Sequence, residues 1–159
     1  LHPLKPQLVT GSLTTAADNA LMVLEGQLQR AGVQVRRIDW EHGVPTQFDP
    51  QLIEQALHGL LTNAIEASPA GATISLQPQH DAASVMITIA DQGAGLPFAP
   101  ASGALRPGPT TKLHGSGLGI PFAMKVCEVH GGSLHFGPAA QGGTQVTLRL
   151  SHLDGDATD

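Results

Sequence analysis

Between Asp49 and Ala67 the apolar residues Leu52, Ile53, Ala56, Leu57, Leu60, Leu61, Ala64 and Ile65 recur at helical spacing and cover one broad face. Asp49 suits an N-cap, and Pro50 falls at the first helical position, where its missing N–H costs nothing. The helix stops before Pro69 and Gly71. A face this wide must be buried, so the chain has to supply a facing layer. Thr73–Gln77 places Ile74 and Leu76 on one side, and Ser84–Ala90 places Val85, Ile87 and Ile89 on one side, with a turn over 80–83. Ser133–Phe136 and Thr144–Leu150 read as a closing pair, Val146, Leu148 and Leu150 alternating with Thr147 and Arg149. Val33–Ile38 and Thr46–Phe48 add strand patterns. Two more helices are predicted. One is capped by Ser12 or Thr14 and runs to about Arg30 through Ala17, Leu21, Leu24 and Leu28. The other spans Ser116–His130, with Ile120, Ala123, Met124 and Cys127 inward, and ends at Gly131 and Gly132. The pattern predicts an α/β two-layer sandwich: one mixed, mostly antiparallel sheet of about five strands, covered on one face by three helices.

A chain of 159 residues suits one domain. Charged residues make up 13%, the formal charge is −5, and Lys and Arg form no block. That argues against a nucleic-acid or anionic-membrane surface. Cys127 is the single cysteine, so no intramolecular disulfide and no multi-cysteine zinc site can form. Its apolar neighbours make it a small core residue rather than a nucleophile. No apolar run approaches a membrane span and no signal-peptide pattern opens the chain, which fits a reducing cytoplasmic setting. The start at Leu1 without Met reads as a fragment, with any membrane anchor outside it. Residues 1–11, with Pro3 and Pro6, read as a linker, and the polar tail 152–159 as frayed.

Three clusters at the ends of elements carry the chemistry. Asn63 is a polar residue in the apolar helix; its amide oxygen is a hard ligand that suits Mg²⁺. Alone, it fits a helix Asn at the edge of solvent equally well. Asp91-Gln92-Gly93-Ala94-Gly95 directly follows an apolar strand and sets an acceptor beside backbone that a ligand can approach closely. Alone, it reads as a turn. Gly115-Ser116-Gly117-Leu118-Gly119 opens a helix, whose free N–H groups bind phosphate. It follows no strand, which argues against a dinucleotide-binding Rossmann unit, and it lacks the Lys-Ser/Thr of a P-loop. Thr110-Thr111-Lys112 supplies a cation nearby, although a lone lysine is usually just solvated. Residues 92–115 are rich in glycine and proline and aperiodic, as functional loops often are.

In this order and spacing the clusters resemble the N, G1 and G2 boxes of the GHKL superfamily, and the histidine kinase branch matches best. Its usual texture is present as Asn63-Ala64, Asp91 to Gly95, Thr110 to Lys112, Gly115 to Gly119, His130 to Gly132 and Gly143-Thr144. The resemblance covers about residues 12–150. It implies the Bergerat fold, a catalytic ATP-binding domain over 12–151 and an ATP lid at about 96–114. It implies that Asn63 holds Mg²⁺ and the phosphates, that Asp91 reads adenine, and that Gly93 and Gly95 shape the base pocket. By the same resemblance Gly115, Gly117, Leu118 and Gly119 line the triphosphate, Lys112 approaches the terminal phosphates, and Thr144 lies beside Asp91.

Two positions depart from the pattern. Four residues before Asn63, histidine kinases often carry a second Asn and the GHKL hydrolases a Glu that activates water; here stands Gly59. The F box, normally Phe-x-Pro-Phe, aligns with Leu105-Arg106-Pro107-Gly108, so both rings are missing. The resemblance implies transfer of the γ-phosphate of Mg·ATP to a histidine on a separate dimerisation domain of the same protein, and onward signalling through a response regulator. Alternatives are a nucleotide-binding regulatory module with weak or no kinase activity, motivated by Gly59 and the missing rings, and an anti-sigma-type serine kinase. No phosphoacceptor histidine motif is visible, and the eight histidines offer no metal-binding spacing. His130 fits a helix C-terminus, where the dipole favours a cation.

Overall fold

A computed structural model describes residues 5–93, 119–140 and 142–151. In chain order the elements are β1 (Val9–Ser12), α1 (Leu13–Val23), α2 (Glu25–Ala31), β2 (Gln34–Arg37), a 3₁₀ turn (Trp40–His42), β3 (Pro45–Phe48), α3 (Pro50–Ala67), β4 (Thr73–His80), β5 (Ser84–Ala90), α4 (Gly119–Val129), β6 (Ser133–Pro138) and β7 (Thr144–Ser151). The main sheet has the order β2-β4-β5-β7-β6, with β2–β4 parallel and the other pairs antiparallel. Alternation places Ile74, Leu76, Val85, Ile87, Ile89, Leu134, Phe136, Val146, Leu148 and Leu150 in one core with the apolar faces of α1, α3 and α4. The expected two-layer sandwich is therefore the observed architecture. Ile53, Leu57 and Leu61 of α3 are fully buried, which contributes about 1.5–3 kcal/mol for each side chain.

The differences from the sequence pattern are local. β4 continues to His80, past Pro78, although proline cannot donate to a ladder. It is tolerated because the β2 pairing ends at Arg37↔Leu76, which leaves that edge of β4 open at Pro78. The first predicted helix is two, broken at Leu24, which lies at φ −92°, ψ 4°. Gly26 weakens helical continuation. Within α2 only the partly buried Leu28 and Ala31 pack against the core, so burial does not hold one straight axis. Residues 9–12, read as the end of a linker and the start of a helix, pair as β1 with β3, Val9 opposite Phe48 and Ser12 opposite Pro45. Ser12 then caps α1 by accepting from the Thr14 N–H. Of the expected α4, residues 116–118 lie outside the described residues, as do the tail 152–159 and the lid 96–114.

Asp49 joins three parts of the fold. Its Oδ1 accepts from Leu52 N–H at 3.1 Å, capping α3, and its Oδ2 accepts from Gln7 N–H at 2.8 Å. Its own N–H donates to Nε2 of buried His130 at 2.9 Å, while Nδ1–H of that ring donates to the Val126 carbonyl at 2.7 Å. Both bonds together require the neutral ring protonated on Nδ1. His130 thus acts through hydrogen bonding, not through the cation–dipole attraction expected at a helix end. Burial raises the Asp49 pKa, but hydrogen bonds from the backbone of Gln7, Leu52 and Gln51 outweigh it, so the carboxyl sits below its ordinary 3.8. A depressed pKa stabilises the fold above the unfolded-state value and is lost as pH falls through the folded one. Asp49→Ala is expected to cost about 1 kcal/mol at neutral pH. In urea titrations the deficit should shrink below pH 3.8, as the wild-type carboxylate is itself protonated.

The Thr46 hydroxyl is buried and has no hydrogen-bond partner among the described residues. Replacing a buried orphan with a shape-matched apolar group removes its desolvation cost. Thr46→Val is expected to raise the thermal midpoint, by roughly 1 kcal/mol in stability.

Candidate functional site

Asn63, Asp91 and Thr144 line one pocket between α3, α4 and the end of the sheet. Its walls are Leu60, Ala64 and Ala67 of α3, Ile89 of β5, Ile120 of α4, Phe136 of β6 and Val146 of β7. Three polar groups converge on this apolar cleft, the arrangement of a candidate small-molecule site. The wall residues were legible in the sequence only as core stripes. Nothing in their periodicity distinguishes a side chain that packs on a neighbour from one that borders a cleft.

Asp91 is only 7% exposed, so its carboxylate needs partners. Gly93 N–H and Thr144 N–H both donate to Oδ1, at 2.9 and 3.1 Å, and Asp91 N–H donates to the Thr144 carbonyl at 2.9 Å. These bonds tie the end of β5 to the start of β7 and set the orientation of the carboxylate. Among the described residues every hydrogen bond to this carboxylate falls on Oδ1. Thr144 therefore serves Asp91 through its backbone.

The glycines here make room for main chain. A Cβ on Gly93 would stand 2.3 Å from the Ala67 carbonyl oxygen, so β5 can end against α3 only without one. Gly143 lies at φ +93°, and a Cβ there would stand 2.2 Å from the Asp91 carbonyl oxygen and 2.8 Å from Oδ1. In the sequence Gly143 was legible only as part of the Gly143-Thr144 match; that it packs directly against Asp91 was not.

Asn63 is half-buried on α3, and its Nδ2 is buried with no acceptor among the described residues. A buried amide with no acceptor among the described residues, beside a cleft, fits an oxygen-rich ligand such as phosphate, with Oδ1 available to a hard cation. Gly119 begins α4 and meets Gly59 of α3. Gly95, Lys112, Gly115, Gly117 and Leu118, and the aligned F-box residues Leu105 to Gly108, lie outside the described residues.

Residues 48–153 match the family model described as histidine kinase-, DNA gyrase B- and HSP90-like ATPase. The chain belongs to this ATPase family. The match runs from β3 to the end of β7, so it contains every wall of the pocket. Among curated relatives, the chain is 32% identical over 150 residues to the C4-dicarboxylate transport sensor protein DctS of Rhodobacter capsulatus, covering 91% of this chain and 23% of that protein. It is 28% identical over 138 residues to the sensor histidine kinase ZraS of Escherichia coli K12, covering 87% of this chain and 30% of the relative. The chain thus spans less than a third of the length of either. Among solved structures, the catalytic domain of histidine kinase ThkA in a nucleotide-free form superposes with a TM-score of 0.76 at 20% identity, covering 92% of this chain and 97% of that one. Acinetobacter baumannii histidine kinase AdeS gives 0.72 at 21%, covering 95% and 70%. These likenesses establish the histidine kinase catalytic-domain fold for this ATPase family member.

Outside the pocket, Cys127 is fully buried in α4, and burial pushes its thiol up to about 12, which leaves it inert. Asp39, Glu41 and His42 bring three ligand-type atoms within 4.8 Å of one another on exposed side chains. Among the described residues no helix is long and apolar enough to cross a membrane.

Proposed function

We propose that this domain binds Mg·ATP in the Asn63–Asp91 pocket and presents the γ-phosphate to a histidine on a separate dimerisation domain of the same protein, which then serves a response regulator in a cytoplasmic setting. The observation that carries this reading is the pairing, in one apolar cleft, of a buried, backbone-oriented carboxylate with a buried amide nitrogen that has no acceptor among the described residues. Asp91 accepts from the adenine exocyclic amine, held in place by Gly93 and Thr144. Ile89 and Val146, on the sheet side, exclude water from the base. The Asn63 amide engages the phosphates, and its oxygen would hold Mg²⁺, which when bound supplies neutralisation of phosphate charge. Lys112 and the glycines Gly95, Gly115 and Gly117, with Leu118, are assigned by family resemblance to the phosphate end. The incoming imidazole nitrogen bonds to the γ-phosphorus as the bond to the ADP oxygen breaks, a step governed by positioning and charge stabilisation. Gly59 offers no carboxylate to activate water, which favours transfer over hydrolysis.

The test combines the domain with its parent's histidine-bearing domain and γ-labelled ATP. Acid-labile label on that domain is expected, none on the catalytic domain alone, and a drop of at least about 100-fold in rate for Asn63→Asp, whose added negative charge repels phosphate. Binding of ATP without any transfer would favour the regulatory-module reading. Acid-stable label on a partner protein would favour the serine-kinase reading.

A further inference from the structure

Gly59 is where this chain departs from its family pattern, and the structure supplies a physical reason for the missing side chain. A Cβ built on Gly59 would stand 2.9 Å from the Gly119 Cα and 3.5 Å from its carbonyl carbon and oxygen. A Cβ on Gly119 would stand 2.9 Å from the Gly59 Cα and 3.1 Å from its carbonyl carbon and oxygen. The clash is reciprocal and falls on main chain on both sides, so no side-chain rotation relieves it. Carbon atoms normally approach to about 3.5 Å, so one methyl at either position pushes the two helices apart by roughly 0.6 Å. Helices α3 and α4 therefore cross backbone to backbone at this pair.

The crossing adjoins the pocket on both helices. Leu60, which follows Gly59, and Asn63, one turn on, line it from α3. Ile120, which follows Gly119, lines it from α4. Where the family pattern places a second Asn or a Glu, this chain admits the first residue of α4. Gly119 is also the last residue of the Gly115–Gly119 stretch. The seat of that residue on Gly59 therefore sets the distance between the Asn63 amide and the end of the glycine stretch.

We propose that Gly59 is a positioning residue that fixes the phosphate end of the site relative to Asn63 by seating α4 directly on α3. The inference rests on the nucleotide reading of the pocket. It places the effect at the phosphates and leaves the base end, built from Asp91, Gly93 and Thr144 on the sheet side, untouched.

Calorimetric titration of ATP and of adenosine into wild type, Gly59→Ala, Gly59→Asn and Gly119→Ala separates the two ends. Gly59→Ala and Gly119→Ala should each weaken ATP by roughly tenfold, the scale of one displaced charge-assisted hydrogen bond, while adenosine binds as in wild type. Gly59→Asn should weaken ATP further, although it restores a side chain common in the family. The double alanine variant should lose less than the product of the single losses, because one methyl already parts the helices. Wild-type ATP affinity in Gly59→Ala, or equal losses of ATP and adenosine, would overturn the proposal. Should Gly59→Ala fail to fold, Gly119→Ala carries the same test, and failure of both would make the crossing a stability element only, which also overturns it. Wild type that binds neither ligand would instead sink the nucleotide reading itself.

Discussion

Asp91→Asn is expected to lower ATP affinity on the order of 100-fold with little change in thermal stability. The amide oxygen of Asn can take over Oδ1 and keep the bonds from Gly93 and Thr144, so the junction between β5 and β7 survives. The second carboxylate oxygen becomes an NH₂ group. At the base end an acceptor turns into a donor and faces the donor of the adenine amine, an unpaired juxtaposition that costs far more than a missing contact. ITP carries a carbonyl oxygen in place of that amine, so it should gain on ATP in this variant. A fall in ATP affinity matched by an equal fall in thermal midpoint would assign Asp91 to structure alone.

Gly143→Ala is expected to be the most damaging single methyl around the site. Two effects add there. At φ +93° an L-residue is strained by about 1–2 kcal/mol. The new Cβ would also overlap the Asp91 carbonyl oxygen at 2.2 Å, which forces β5 and β7 to part where they hold the carboxylate. A total near 3 kcal/mol corresponds to a fall of roughly 6–12 °C in midpoint for a domain of this size, together with loss of ATP binding. Gly142→Ala provides the control. Its φ is +89°, but nothing lies within 4 Å of its Cβ, so it pays the strain without the overlap. The Gly142 variant should keep ATP binding and lose only about a third to two thirds as much stability. Equal losses at both positions would mean that φ strain alone matters and that Gly143 does not hold Asp91.

Much of this fold could be read from residue patterns because its elements obey simple periodicities. The α3 stripe and the alternation in β5 and β7 each point to one buried face, and the structure buries those faces against one another. The pairing of β1 with β3 was not legible. Val9-Thr10-Gly11-Ser12 has no alternation to signal a strand, and its order comes from a partner about 36 residues away through long-range hydrogen bonds. The break at Leu24 was hidden because the apolar spacing runs through it, while the bend depends on what lies beneath α2. In the site, Asn63 and Asp91 stood out as polar residues in apolar settings, and the fold brings them to one cleft. Gly59 was legible only as something missing. Its meaning required the neighbouring helix, because a glycine that lets two backbones touch looks the same in sequence as one that merely lost a side chain.

In the proposed function Asn63 and Asp91 mark the two ends of one nucleotide. The most direct measurement is a titration of Mg·ATP into the ¹⁵N-labelled chain, following three signals: the Asn63 side-chain NH₂, and the backbone amides of Gly93 and Thr144 that donate to Asp91. All three are expected to shift together along one saturating curve, whereas adenosine should move Gly93 and Thr144 and leave the Asn63 side chain in place. Saturable ATP binding that shifts other residues while these three signals stay still would contradict it.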